Sequence, residues 1–349
     1  MNLIEYPPKS MHKLQKLVEN AFNGLKVFSI LKTSIEIGIF DSLNVKTSCG
    51  HLSEKLGMDP VLTYHILEIL VKLELVEKIG KFYKNTPLSK LYLDSKSDYK
   101  RTNCILSMEE PANQWNNLKE TLKGKIGKKD ENFFPFIIKV LAEDCLSGEL
   151  QDTVKFLSRY DELHKSSTLL DLGGGHGLYS IAFNQLNPIL QCYVFDLPDV
   201  LNVTRYYIEK YNSNVETIPG NFHTDDFRGE YDIVYSSYNP GGKNPKIAKK
   251  VYRSLNPNGL FINKQHFPED RHNSLADLLD DMEWNFTNFE KSNKGSKRFT
   301  FNEDLSFDKY LEFLEGQGFS IIDIHPITHV NTSFGTLSED KIIVAKKVI

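Results

Sequence analysis

The chain has 349 residues, 40% of them hydrophobic and 25% charged, with a formal net charge of −4. That length suggests two domains rather than one small core. The composition is ordinary for a globular protein, and the slight negative balance argues against a nucleic-acid binder that relies on bulk electrostatics.

Cys49, Cys104, Cys145 and Cys192 are scattered, with no Cys-x-x-Cys pair and no metal-ligand spacing. Free thiols in a reducing compartment and no metal are expected. The N-terminus, MNLIEYPP, has neither a basic start nor an apolar signal core. No apolar run is long enough to cross a bilayer. A soluble, cytoplasmic protein without a membrane partner is the expectation.

In chain order, Leu14, Leu17, Val18, Ala21, Leu25, Phe28, Leu31, Ile35 and Ile39 recur at helical spacing between about Ser10 and Leu43. They fall on more than one face, which points to burial against a partner subunit or elsewhere in the same domain. HLSEKLGMDP then reads as a short helix stopped by Gly57. Asp59 can cap the next helix, and Pro60 suits its first position. Two short strands, 75–78 and 81–84, complete a winged-helix pattern. Its DNA-binding use would need a basic second helix, but Glu68 and Glu74 accompany Lys72 there. No nucleic-acid partner is expected, and the region reads as a scaffold.

Residues 101–165 read as helical, broken by a lysine- and glycine-bearing loop at 123–130. Phe133, Phe134, Phe136, Ile137 and Ile138 open an apolar helix that reads as core or as the roof of a pocket in the next domain. From Thr168 the rhythm becomes strand and helix in alternation, with strands at 168–172, 191–196, 215–218, 231–236, 259–264, 319–324 and 341–346. An α/β fold with an open, mainly parallel sheet covered on both faces follows.

The chemistry centres on TLLDLGGGHG, residues 168–177. It is a strand running into a glycine turn that lets a ligand approach the backbone closely. The dinucleotide fingerprint fails, because Leu178 stands where its third glycine belongs. What stands instead is Asp171, Gly173, Gly175 and Gly177 in Asp-x-Gly-x-Gly-x-Gly. The next strand ends at Asp196, whose carboxylate can accept both hydroxyls of a ribose; the alternative is a cap on the following helix. After the third strand, Asn221 can address an adenine edge and Phe222 offers an apolar wall. The three loops describe an adenosine site without a phosphate anchor.

LLDLGGGHG, the VFDLP strand end and GNF resemble the cofactor motifs of class I S-adenosylmethionine-dependent methyltransferases. Together with LSEKLGMDPVLTYHILEILVKLELVEKIGKFYKNTPLSKLYL, they make the chain similar to the O-methyltransferase family that includes caffeic acid, hydroxyindole and bacterial polyketide enzymes. The resemblance implies a Rossmann-like methyltransferase domain over 166–349, a winged-helix dimerisation domain over 1–100, and a connector over 101–165 that forms part of the acceptor pocket. It implies S-adenosylmethionine as cofactor, S-adenosylhomocysteine as product, a small-molecule acceptor, and a homodimer through the N-terminal helices. Gly173 and Gly175 would face the methionine part, Asp196 the ribose, and Asn221 and Phe222 the adenine, with Asp171 and Leu197 also among the cofactor-binding residues. Ser236 and Ser237 complete the cofactor set. Phe133, Met282, Trp284 and Asn285 would line the acceptor pocket.

The loop after the fourth strand departs from the family. Aligned from Asp232, Ser237 stands at the lysine position and Gly241 at or near the histidine that serves as general base. A positioned base contributes roughly 10²–10⁴-fold in rate, whereas orientation of two reactants can supply about 7–11 kcal/mol. Loss of the base therefore favours acceptors that ionise readily, or that need not. A thiol with pKa about 8.5 is already a few per cent thiolate at neutral pH. Thiol, acidic phenol, amine and carbon acceptors gain weight, and Tyr238 and His266 are the candidate substitute bases. The alternative is a non-catalytic cofactor binder or a winged-helix regulator.

Overall fold

In the computed structural model, residues 4, 6–124, 127–128, 133–227, 229–267, 274–288, 295, 297–327 and 340–348 are described. The chain divides into two units, Met1–Leu106 and Ser107–Ile349.

The first unit contains α1 (His12–Glu36), α2 (Ile39–Ser42), β1 (Thr47–Ser48), α3 (Cys49–Leu56), α4 (Pro60–Lys72), β2 (Val76–Ile79), β3 (Phe82–Asn85), α5 (Pro87–Tyr92) and most of α6 (Thr102–Ser107). The helix ends follow the local chemistry. Gly57 takes φ of 64° after α3, and the Asp59 carboxylate accepts from the N–H groups of Val61 and Leu62 at 2.9 Å ahead of Pro60. Ile39, Phe40, Leu52, Leu67, Leu70, Val76 and Tyr83 form the core beneath a β1-β3-β2 sheet. Glu68 of α4 accepts from Lys78 Nζ at 2.6 Å and Tyr83 Oη at 2.7 Å, fastening the second helix to the hairpin. Along α1, Leu14, Leu17, Val18, Phe22 and Leu25 are exposed within this chain.

The second unit opens with α7 (Glu109–Asn116), α8 (Leu118–Thr121), β4 (Gly127–Lys128), α9 (Phe133–Cys145), α10 (Glu149–Leu157) and α11 (Asp161–Lys165). There follow β5 (Thr168–Leu172), α12 (Leu178–Leu186), β6 (Gln191–Asp196), α13 (Leu201–Lys210), β7 (Glu216–Pro219), β8 (Tyr231–Ser237), α14 (Pro245–Ser254) and β9 (Leu255–His266). The unit closes with α15 (Leu275–Trp284), β10 (Thr287–Asn288), α16 (Phe307–Gln317), β11 (Phe319–Pro326) and β12 (Asp340–Lys347).

Its seven-stranded sheet runs β11-β12-β9-β8-β5-β6-β7. From β7 to β9 all neighbours are parallel, while β12 is antiparallel to β9 and to β11. The central strands are apolar almost throughout because both faces are covered. One layer holds Leu178, Ile181, Phe183 and Leu201, and the other Ile247, Val251, Tyr310 and Leu314. The chain steps outward from β5 through β6 to β7, then returns to β8 on the other side of β5. That reversal leaves a crevice at the strands' carboxyl ends, where open α/β sheets bind ligands.

One strand differs from expectation in a way that matters. β9 runs to His266 rather than stopping near 264, because β12 extends the ladder to the pair Asp340–His266. His266 is thus a strand residue, not a loop residue. No helix among the described residues is long and apolar enough to cross a membrane.

Candidate active site

The glycine turn leaves β5 with Gly173 at φ 65° and Gly175 at φ 55°, backbone that L side chains adopt only at a cost of about 1–2 kcal/mol. Space is as tight as the torsions. A Cβ on Gly173 would stand 3.0 Å from Asn239 Cβ and 3.2 Å from Phe222 Cε1, and one on Gly175 3.0 Å from Ile138 Cδ1. Ile138, from the apolar helix α9, therefore lies over the turn.

Two buried carboxyls flank it. Asp171 Oδ2 accepts from Ser180 Oγ at 2.8 Å, while Oδ1 has no partner among the described residues. Burial pushes its pKa up to about 7, against the Ser180 hydrogen bond. Asp196 Oδ2 accepts from Gly175 N at 2.9 Å and Oδ1 from Leu197 N at 2.7 Å. Burial raises Asp196 to about 6, although both backbone bonds favour its ionised form. Asp196 does not cap the next helix: α13 starts at Leu201, with Val200 at its N-cap and no side-chain cap bond. The carboxylate ties the second strand's loop to the glycine turn instead.

The third loop is closed by its own polar groups. Asn221 Oδ1 accepts from His223 N at 2.9 Å, and Asn221 N donates to Asp225 Oδ2 at 2.9 Å. The Asn221 side-chain carbonyl is thus already engaged once, which leaves it a second lone pair. Lys250 of α14 donates to the carbonyls of Phe222, His223 and Asp225 at 3.1, 3.3 and 2.9 Å, fixing the loop from outside.

Beyond β8, buried Ser236 accepts from Asn239 Nδ2 at 2.8 Å, and the same amide donates to Leu172 O at 2.6 Å. Asn239 Oδ1 accepts from Gly241 N at 3.0 Å. A Cβ on Gly241 would lie 2.7 Å from Phe222 Cε2, and one on Gly242 would collide with the Gln265 amide. This glycine pair is a backbone wedge with no room for a side chain. An imidazole at Gly241 would strike the wall formed by Phe222.

Two family models match: the O-methyltransferase dimerisation domain over residues 19–95 and the O-methyltransferase domain over residues 146–287. An uncharacterised protein of Methanocaldococcus jannaschii is 42% identical over 330 residues, 92% of this chain and 88% of that protein. The L-tyrosine C(3)-methyltransferase of Streptomyces lavendulae is 30% identical over 107 residues, 29% of each chain. Human N-acetylserotonin methyltransferase, solved in complex with S-adenosylmethionine, has the same fold, with TM-score 0.70 at 19% identity and 100% of both chains covered. The chain belongs to the O-methyltransferase family. It is an enzyme, a methyltransferase.

In this methyltransferase the two substitute-base candidates meet through a residue that sequence reasoning missed. Tyr238 Oη donates to Asp340 Oδ2 at 2.8 Å, and His266 Nδ1 lies 2.7 Å from Asp340 Oδ1. Burial opposes the charge on Asp340, but hydrogen bonds from His266 and Tyr238 and the nearby Lys264 ammonium hold its carboxyl below the usual range. Tyr238 sits at φ 47°, its N–H bonded to Lys264 O at 2.9 Å. Beneath it the fully buried Lys264 pairs with Glu149 and donates to Tyr179 Oη at 2.7 Å and Thr153 Oγ1 at 3.1 Å. Its three donors are used, so it locks α10 and α12 to β9.

On α15, Trp284 packs on Phe299 and Phe301 with centroids 5.4 and 5.6 Å apart, and Phe299 lies 6.0 Å from the His266 ring. Met282 is half-buried on the same helix. Asn285 donates to Asp281 O and accepts from Gly295 N, both at 2.7 Å, so its amide serves the loop beside it. The Asp280–Asp281 pair holds Arg298, through its guanidinium at 2.6 Å and its backbone N–H at 2.8 Å, rather than standing open to a ligand. The side chain of Phe133 lies outside the described residues. Ser237 is half-buried and Leu197 exposed.

Proposed function

We propose that the crevice at β5, β6, β7 and β8 holds S-adenosylmethionine with Asp196 at the ribose. Asp171, Gly173 and Gly175 stand beside the methionine part, Asn221 and Phe222 at the adenine, Leu197 and Ser237 along the rim, and Ser236 buried behind them. The observation that carries this reading is the bond between Asp196 and Gly175 N, which sets a buried carboxylate and a ligand-ready turn at adjacent strand ends. The methyl group passes from the sulfonium to the acceptor, and S-adenosylhomocysteine leaves with the electron pair of the broken bond.

The acceptor is a small molecule whose reacting atom ionises readily or needs no strong base: a thiol, acidic phenol, amine or carbon. The glycine wedge at Gly241–Gly242 supports this, since it leaves no room for the loop histidine. So does a relative named for methylation at carbon. Tyr238 and His266, joined through Asp340, take the place of that histidine, with Met282 and Trp284 walling the acceptor.

The first unit is a winged-helix module that pairs two copies in a cytoplasmic homodimer. The exposed apolar face of α1 and the matching dimerisation model support that role. DNA readout is disfavoured because Glu68 of the second helix is spent on Lys78 and Tyr83. Calorimetry with S-adenosylmethionine and S-adenosylhomocysteine tests the cofactor site. A radiolabelled methyl-transfer screen over thiols, phenols, amines and cell extract then tests the acceptor class. Methylation of unactivated alcohols but not of thiols would overturn the acceptor assignment.

A further inference from the structure

Past the glycine wedge, the chain makes a buried ion pair that the cofactor site does not itself require. Lys243 Nζ lies 3.2 Å from Asp304 Oδ2, the two side chains being 6% and 3% exposed. Burial pushes the lysine down and the aspartate up from their ordinary values, and each partner works against the other's shift. Lys243 Nζ also donates to Phe299 O at 2.8 Å, while its own carbonyl accepts from Leu305 N at 3.2 Å. Asp304 Oδ2 accepts from Phe301 N at 2.9 Å, and its Oδ1 is buried with no partner among the described residues.

Such a pair adds little to stability that an apolar pair of similar volume would not, because desolvation offsets the attraction. What it provides is registry between two segments. One is the loop at Asn239–Gly242, seated against Gly173, Phe222 and Gln265. The other is the 299–305 segment, whose Phe299 and Phe301 rings pack on Trp284. Lys243 grips the carbonyl of Phe299, held at φ 57°.

We propose that Lys243 and Asp304 are positioning residues that couple the cofactor seat to the aromatic acceptor wall, so that a loaded cofactor sets Trp284, Phe299 and Phe301 for the acceptor. The inference rests on the reading of the Gly173–Phe222 edge as the cofactor seat. Neither residue touches the reacting atoms; they act through the wall they hold.

S-adenosylhomocysteine is the probe, and no acceptor is needed. The chain has two tryptophans, so Trp115→Phe leaves Trp284 as the reporter. In that parent, saturation with the probe is expected to change acrylamide quenching of Trp284 by about twofold, reflecting a reordered wall. In Lys243→Met/Asp304→Leu, affinity for the probe should stay within about threefold of the parent by calorimetry, while the Trp284 response disappears. Asp304→Asn keeps an acceptor for Phe301 N and carries the same test if the double variant does not refold; its response should fall by at least half. An unchanged Trp284 response in the variants at unchanged affinity overturns the proposal, as does a silent Trp284 in a parent that binds the probe. A parent that does not bind the probe at all overturns the cofactor-seat reading, and the coupling with it.

Discussion

The two sides of the crevice are built differently. On the proposed cofactor side the decisive contacts are backbone-led and near in sequence: Asp196 reaches Leu197 next to it and Gly175, 21 residues back. On the proposed acceptor side they start from side chains and span far more of the sequence: Lys243 Nζ to the Phe299 carbonyl over 56 residues, His266 to Asp340 over 74, and Tyr238 to Asp340 over 102. A turn that must admit a ligand to its backbone tolerates few sequences. A wall that orients an acceptor can be assembled from many pairs of side chains, and its chemistry is free to change while the donor site stays the same.

The largest expected effect lies on the acceptor side. Asp340→Asn removes the carboxylate that Tyr238 and His266 share, and turnover with an acceptor found by the screen should fall roughly 10²–10⁴-fold if the cluster takes the proton. Affinity for S-adenosylmethionine should hold. Equal losses in both would erase the distinction between the two sides.

On the cofactor side, Asp196→Ala should weaken S-adenosylhomocysteine binding on the order of 100-fold, from lost charged hydrogen bonds of about 1.5–3 kcal/mol. Unchanged affinity by calorimetry would remove the ribose assignment. Gly241→His probes the boundary between the sides. Overpacking against Phe222 should cost about 1–3 kcal/mol in denaturant unfolding and restore no turnover. A gain in rate would show that the wedge, not the acceptor, had excluded the base.

The smallest effect is a pH dependence. Asp196 titrates near 6 in the free protein because burial disfavours its charge. Ribose hydroxyls donate to the ionised form, so binding draws the carboxyl toward ionisation and releases a proton when pH is below about 6. Affinity should be flat above that value and fall by up to about tenfold per unit below it. Calorimetry at pH 5.5 in buffers of different ionisation enthalpy should register the released proton, and none at pH 8.

Most of the donor half could be read before any coordinates. The strands at 168–172 and 191–196 stand where the sequence pattern placed them, because strands covered on both faces read as mainly apolar runs, here interrupted by Asp171 and ended by Asp196. Gly57 and Asp59 likewise end and begin helices by purely local chemistry. The loop of Asn221 was legible as to place but not as to bonding, since its partner His223 is a choice among neighbours. Asn239, Lys250 and Asp340 carried no signal of their own, being ordinary residues until folding brought them to the crevice.

By itself the sequence determined the alternation of strand and helix, the glycine turn, Asp196 and the absence of the loop histidine. Each is written in spacing of a few residues, where backbone geometry leaves little choice. Tertiary structure alone decided that Gly241 and Gly242 are a wedge against Phe222 and Gln265. It also decided that His266 ends a strand beside Asp340, and that Lys243 and Asp304 join the loop to the aromatic wall. Those depend on which side chains the sheet order sets side by side, and that order is a property of the packed chain, not of any stretch within it.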